Sequence, residues 1–169
     1  MTGSAKLTDK AWQAIKAFAV GQKAQDAHVK VGVVGPTAGV AAEGAMTMVE
    51  LAAIHEFGAP DAGIPERSFI RSTFAKKQGD VDKVAARLAK KFLAGEMPLE
   101  RALGLLGAWG AAEVKKSITV GEGIQPANAP ATIARKGSSR PLVDTGRLVG
   151  AISWEVVDAG NVELPKAGA

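Results

Sequence analysis

A chain of 169 residues, nearly half of them apolar and with a formal net charge of +4, has material for one domain with a core. The absence of cysteine excludes disulfides, thiolate metal sites and a cysteine nucleophile. The mild basic excess allows contact with nucleic acid without demanding it. The start, MTGSAKLTDK, lacks an apolar stretch, so no signal peptide is expected, and no run of about 18 apolar residues reads as a membrane span.

LTDKAWQAIKAFAV reads as a helix capped by Thr8 or Asp9, with Trp12, Ile15 and Ala19 on one face. HVKVGVVG alternates: Val29, Val31 and Val33 point one way, His28 and Lys30 the other, as in a strand over about 27–34. The Gly/Ala-rich stretch 35–45 predicts a loop or a weak hairpin. In TMVELAAIHEFG, Thr47 and Glu50 form a capping box, Leu51, Ile54 and Phe57 supply an apolar side, and Gly58 supplies a left-handed stop. Residues 59–65 are loop by composition. PERSFIRSTF predicts a short helix with Pro65 in its first turn.

A second amphipathic helix is expected over about 80–94, with Asp80 and Asp82 at its start and Val81, Val84, Leu88 and Phe92 on one face. A third follows over 98–117 with a stripe of Leu99, Ala102, Leu106, Trp109 and Val114. Gly104, Gly107 and Gly110 weaken that helix by roughly 1 kcal/mol each against alanine, which implies close packing against another backbone. Residues 119–141 predict a long mobile loop. Asp144 or Thr145 can cap a short helix. Ile152, Trp154 and Val156 alternate as a strand, and Ala159-Gly160-Asn161 reads as a turn into a last strand at Val162–Leu164. These elements make an α+β fold, one domain with a small antiparallel sheet packed on several helices.

His55-Glu56 invites a metal reading, but H-E-x-x-H requires a second imidazole one helical turn on, and position 59 is alanine. The glycines at 32, 35 and 39 fit no phosphate-loop pattern, and no G-x-S-x-G elbow exists. No cofactor, metal site or catalytic constellation is expected. The basic residues are more suggestive. Arg67, Arg71, Lys76, Lys77, Lys83, Arg87, Lys90 and Lys91 crowd one span, and Arg135, Lys136 and Arg140 form a second group. Both could meet DNA phosphates without reading sequence.

Three stretches, VELAAIHEFG (49–58), IPERSFIR (64–71) and RKGSSRPLVDTGRLVGAISWEV (135–156), together resemble the tail-completion or neck proteins of long-tailed bacteriophages, the lambda-type minor tail protein Z group and related virion-morphogenesis proteins. Their order and spacing match over roughly residues 27–157. Ser68 stands where that family commonly has proline, and is expected to loosen the turn there. The resemblance implies a non-enzymatic virion protein, assembled in the host cytoplasm. It would form a ring, hexameric to match the sixfold tail, at the head-proximal end of the tail. Its neighbours would be tail terminator and tail tube or head–tail connector proteins, with DNA in the channel and no membrane. The interface and motif residues so implied are Glu56, Phe57, Arg67, Phe69, Arg71, Asp144, Thr145 and Arg147. Lys76, Lys77, Arg135, Lys136 and Arg140 are candidates to face DNA, and Arg67 is expected to bond helix-end carbonyls or Asp144. The alternatives are a small basic nucleic-acid-binding module or a head-side connector or stopper of the neck.

Overall fold

In a computed structural model, residues 26–43, 46–121, 124–136, 141–142 and 146–158 are described. They form β1 (His28–Gly32), β2 (Ala41–Glu43), β3 (Met46–Thr47), α1 (Met48–Phe57), α2 (Arg71–Leu93), α3 (Leu99–Val120), α4 (Pro130–Lys136), α5 (Arg147–Ala151) and β4 (Ser153–Val157). The expected N-terminal helix, the strand at 162–164, the Asp144 and Thr145 caps and Arg140 lie outside the described residues.

The architecture is α+β. β1 and β4 pair antiparallel, with Val29 opposite Val156 and Val31 opposite Trp154. This places the alternating apolar residues of both strands on one face of a ribbon, and that face lies on α3. A second, irregular pairing of β2 with β3 is the weak hairpin expected in the Gly/Ala-rich stretch.

The glycines of α3 explain how the ribbon comes so close. A Cβ on Gly107 would stand 2.6 Å from Cγ2 of Val29 and 3.0 Å from Cβ of Trp154, and one on Gly110 would stand 3.2 Å from Cγ2 of Val31. The neighbours are therefore side chains, those of the sheet and Phe74 of α2, and not another backbone as expected. The buried face of α3 follows these glycines. Gly107, Gly110, Ala111, Val114 and Ile118 are buried with Ala102, whereas Trp109, placed on the stripe by sequence, is only half-buried. α3 runs three residues past 117 and stops at Gly121 in the left-handed region.

The largest departure from the sequence reading is α2. Residues 65–70 are not helical, and a single helix runs from Arg71 to Leu93 through Gly79 and Asp80. Asp80 is not at a helix start; it pairs with Lys77 at 3.6 Å and Lys83 at 3.8 Å, contacts one turn away that support a continuous helix. Gly79 has open space around it and an ordinary φ. Gly79→Ala is expected to stabilise the protein by about 0.5–1 kcal/mol in urea unfolding, since it removes a flexible residue from an exposed helix interior at no steric cost.

Two clusters form the core. The larger joins Val33, Met48, Phe69, Val114, Ile118, Ile124, Leu148 and Ile152. The smaller ties the far ends of α2 and α3 through Leu88, Phe92 and Ala102, with Val84, Met97, Leu99 and Leu106 against it. The stretch 119–141, read as one irregular loop, contains the end of α3 and α4, and it contributes buried Ile124 and Asn128.

Candidate functional site

α1 presents its residues the wrong way round for a simple amphipathic helix. Glu56 is buried at 4% exposure, while its neighbour Phe57, expected on the apolar side, is 62% exposed. The inversion follows from what Glu56 does. Its carboxylate accepts the backbone N–H groups of Phe69 at 2.8 Å, Ile70 at 2.9 Å and Arg71 at 3.0 Å, and the hydroxyl of Ser68 at 2.8 Å. These groups lie at the start of α2, which has no side-chain cap from its own first residue. One helix thus supplies the cap of another: the charge sits where the dipole of α2 favours an anion, and it satisfies donors that the helix cannot. Burial pushes the Glu56 carboxyl up, but the bonds from Ile70, Arg71, Phe69 and Ser68 outweigh it and hold the group below the usual carboxylate range.

Arg71 closes the network. Its Nε donates to Glu56 at 3.0 Å, and the same guanidinium reaches the Glu56 carbonyl and the Glu66 carboxylate, each at 2.8 Å. It also lies 4.8 Å over the Phe57 ring, so the exposed aromatic is braced by a cation. Phe69, fully buried, anchors the segment between the two helices in the main core. Ser68, expected to loosen this turn, tightens it: its hydroxyl donates to Glu56 and accepts the N–H of Ser72 at 3.2 Å.

The loop between these residues is closed on itself. Ala59 and Ile64 exchange two backbone bonds, at 2.8 and 3.0 Å, around a turn ending at Gly63 in the left-handed region. Gly58 does not make the left-handed stop that its position suggests. It has φ 76° and ψ 172°, an extended conformation open essentially to glycine alone, and a Cβ there would meet the Glu66 nitrogen at 2.8 Å. The turn residues Pro60 to Gly63 are exposed.

Beside this network lies a cleft of about 610 Å³ between α1, residues 63–67, the 126–129 segment and α5. Two arginines on its wall act as clamps. Arg67 donates to the carbonyls of Pro126 at 2.9 Å and Ala127 at 3.3 Å. Of the partners expected for the Arg67 side chain, the helix-end carbonyl of Glu56 is taken by Arg71 and Asp144 lies outside the described residues, while the backbone N–H of Arg67 bonds His55 O at 2.8 Å. Arg147 donates to the carbonyls of Ala41 and Ala42 and so ties α5 to β2. Arg67→Ala is expected to cost about 1–2 kcal/mol in thermal unfolding and to speed limited proteolysis within 124–136, because the Pro126 and Ala127 carbonyls lose the guanidinium that anchors them to residues 64–71.

Of the sequence-derived motif residues, Glu56, Phe57, Phe69 and Arg71 meet in one network, and Arg67 and Arg147 face the cleft beside it. Glu66 and Ser68 belong to the network although neither was singled out for it. Lys77 does not face outward with Lys76; it turns to α3 and pairs with Glu113 at 3.2 Å. Arg135 and Lys136 end α4, and their side chains lie outside the described part. No family model, curated protein or solved structure matches the chain.

Proposed function

We propose that the chain is a structural, non-enzymatic protein of a long-tailed bacteriophage virion. As a tail-completion or neck subunit it forms a ring, hexameric to match the tail, at the head-proximal end. It makes the tail competent to join the filled head and lets DNA pass. The observation that carries this reading is the convergence of the three sequence stretches that bear the resemblance. HEFG at the end of α1, IPERSFIR before α2 and the stretch that becomes α5 and β4 adjoin one cleft. Their charged residues serve as a helix cap and as clamps between segments: Glu56 on α2, Arg67 on residues 126–127, Arg147 on β2.

That use of charge suits a scaffold. It fixes the 58–66 turn in shape and leaves the tip of that turn and Phe57 exposed. A ring subunit needs a preformed face of this kind to meet a different face of its neighbour. Gold-labelled protein is expected to collect at the head-proximal end of isolated tails in electron micrographs. Labelling of tail-free heads alone favours the head-side connector instead, and labelling along the whole tail contradicts both.

A further inference from the structure

The outer face of α2 carries a basic ridge that neither the cap nor the core uses. At about 100° per residue, Lys76, Lys83, Arg87 and Lys90 fall within about 60° of arc, along about 21 Å of helix. All four are exposed. Leu88 and Phe92, with Val84 and Phe74, occupy the opposite side and are packed in the two cores. Asp80 sits at the edge of the ridge, where it serves Lys77 and Lys83. Among the described residues, no carboxylate pairs with Lys76, Arg87 or Lys90.

We infer that this ridge is the surface that meets the phosphates of duplex DNA. Aligned cations on a rigid helix suit a regular polyanion, and long, flexible side chains make contacts that register poorly with base identity. The ridge has no aromatic residue on which a single-stranded base could stack. It does not suit a lipid surface either: a helix that lies in a membrane inserts its apolar side, and that side of α2 is buried against the rest of the chain. Four contacts of this type are weak singly. At about 0.15 M salt the electrostatic contribution gives binding only near the millimolar range, which lets a duplex slide past one copy and be held by several. The inference rests on the neck reading only for where the duplex comes from.

The test is fluorescence anisotropy of a labelled 30-base-pair duplex of mixed sequence with the full chain, from 20 to 150 mM NaCl. The expected log–log slope of affinity on salt is about −3 to −4. Reversing Lys83→Glu, Arg87→Glu and Lys90→Glu together should abolish binding at 20 mM. Lys30→Glu, Arg101→Glu and Lys116→Glu, an equal charge change at exposed positions elsewhere, should leave most of it. If circular dichroism shows the triple variant unfolded, the pair Lys83→Gln and Arg87→Gln takes its place and should reduce the slope by about 2. Absence of duplex binding at 20 mM, equal loss in the control, or binding to phosphatidylserine-containing vesicles without binding to duplex would each overturn the assignment. Any of these leaves the joining role to be decided by particle assembly, which is read separately.

Discussion

Glu56→Gln is expected to lower the stability of the protein by about 2–4 kcal/mol, and its Tm by roughly 5–15 °C. The carboxylate serves five donors: one oxygen takes Ser68, the Arg71 backbone and the Arg71 side chain, and the other takes Phe69 and Ile70. An amide offers one acceptor and turns an NH2 toward the remaining donors, so at least two N–H groups at the head of α2 lose their partner. Phe69 is fully buried, and water cannot replace the bond to its N–H without opening the core. The pH dependence has a definite sign. The Glu56 carboxyl is held below its ordinary value in the folded chain, so its contribution is complete above the unfolded pKa of about 4.3 and is lost as pH falls through the folded value. The stability gap between the native chain and the glutamine variant should therefore be full at pH 7 and shrink below about pH 4. A gap that stays constant from pH 7 to pH 3 in urea unfolding contradicts the cap.

Gly107→Leu is the second large effect. The first carbon alone would press on Val29 and on Trp154, whose Cγ lies 3.1 Å away, and these are packed side chains of paired strands, not loose chain ends. Leucine favours helix over glycine by nearly 1 kcal/mol, yet overpacking in a filled contact outweighs this, and a net loss of about 2–3 kcal/mol is expected. Hydrogen exchange should locate the damage in the amides of β1 and β4. The contrast with Gly79→Ala is the sharper check: two glycines in neighbouring helices, one against a sheet and one facing open space, should respond with opposite signs. A stabilising substitution at Gly107 would mean that the ribbon does not lie on α3 as described.

Local chemistry made much of this molecule legible. The Thr47–Glu50 box is present with both of its bonds, the N–H of Thr47 to the carboxylate at 2.8 Å and the N–H of Glu50 to the hydroxyl at 3.4 Å, because a capping box depends on residues three apart. The alternation in β1 and at 152–156 gave the pairing strands, since a period of two needs only neighbours. What sequence could not show was the cap of α2, because its accepting carboxylate is contributed by Glu56, fifteen positions upstream of Arg71, across a turn. Without that cap in view, Pro65 appeared to open a helix that begins six residues later, and Asp80 appeared to open one that was already under way. For the same reason Phe57 passed for a core residue: periodicity assigns an apolar side, but here a buried carboxylate decides which side of α1 faces inward. The two arginine clamps were equally hidden, since a guanidinium on a backbone carbonyl distant in sequence leaves no mark in either partner's neighbourhood.

Ser68 gives the reverse lesson. Expected from the resemblance to loosen the turn, it instead supplies through its hydroxyl a bond to Glu56 that proline could not make. The turn it occupies is bound at both ends, through Glu56 and through Ser72, so the serine strengthens the junction that holds the 58–66 turn beside α2.

The proposed joining role is tested most directly by an attempt to restore it. In a lysate from a prophage that lacks this gene, electron micrographs should show filled heads and full-length tails lying apart, and addition of the purified protein should raise the count of joined particles with the dose. A lysate that already contains joined, normal virions without the protein contradicts the account.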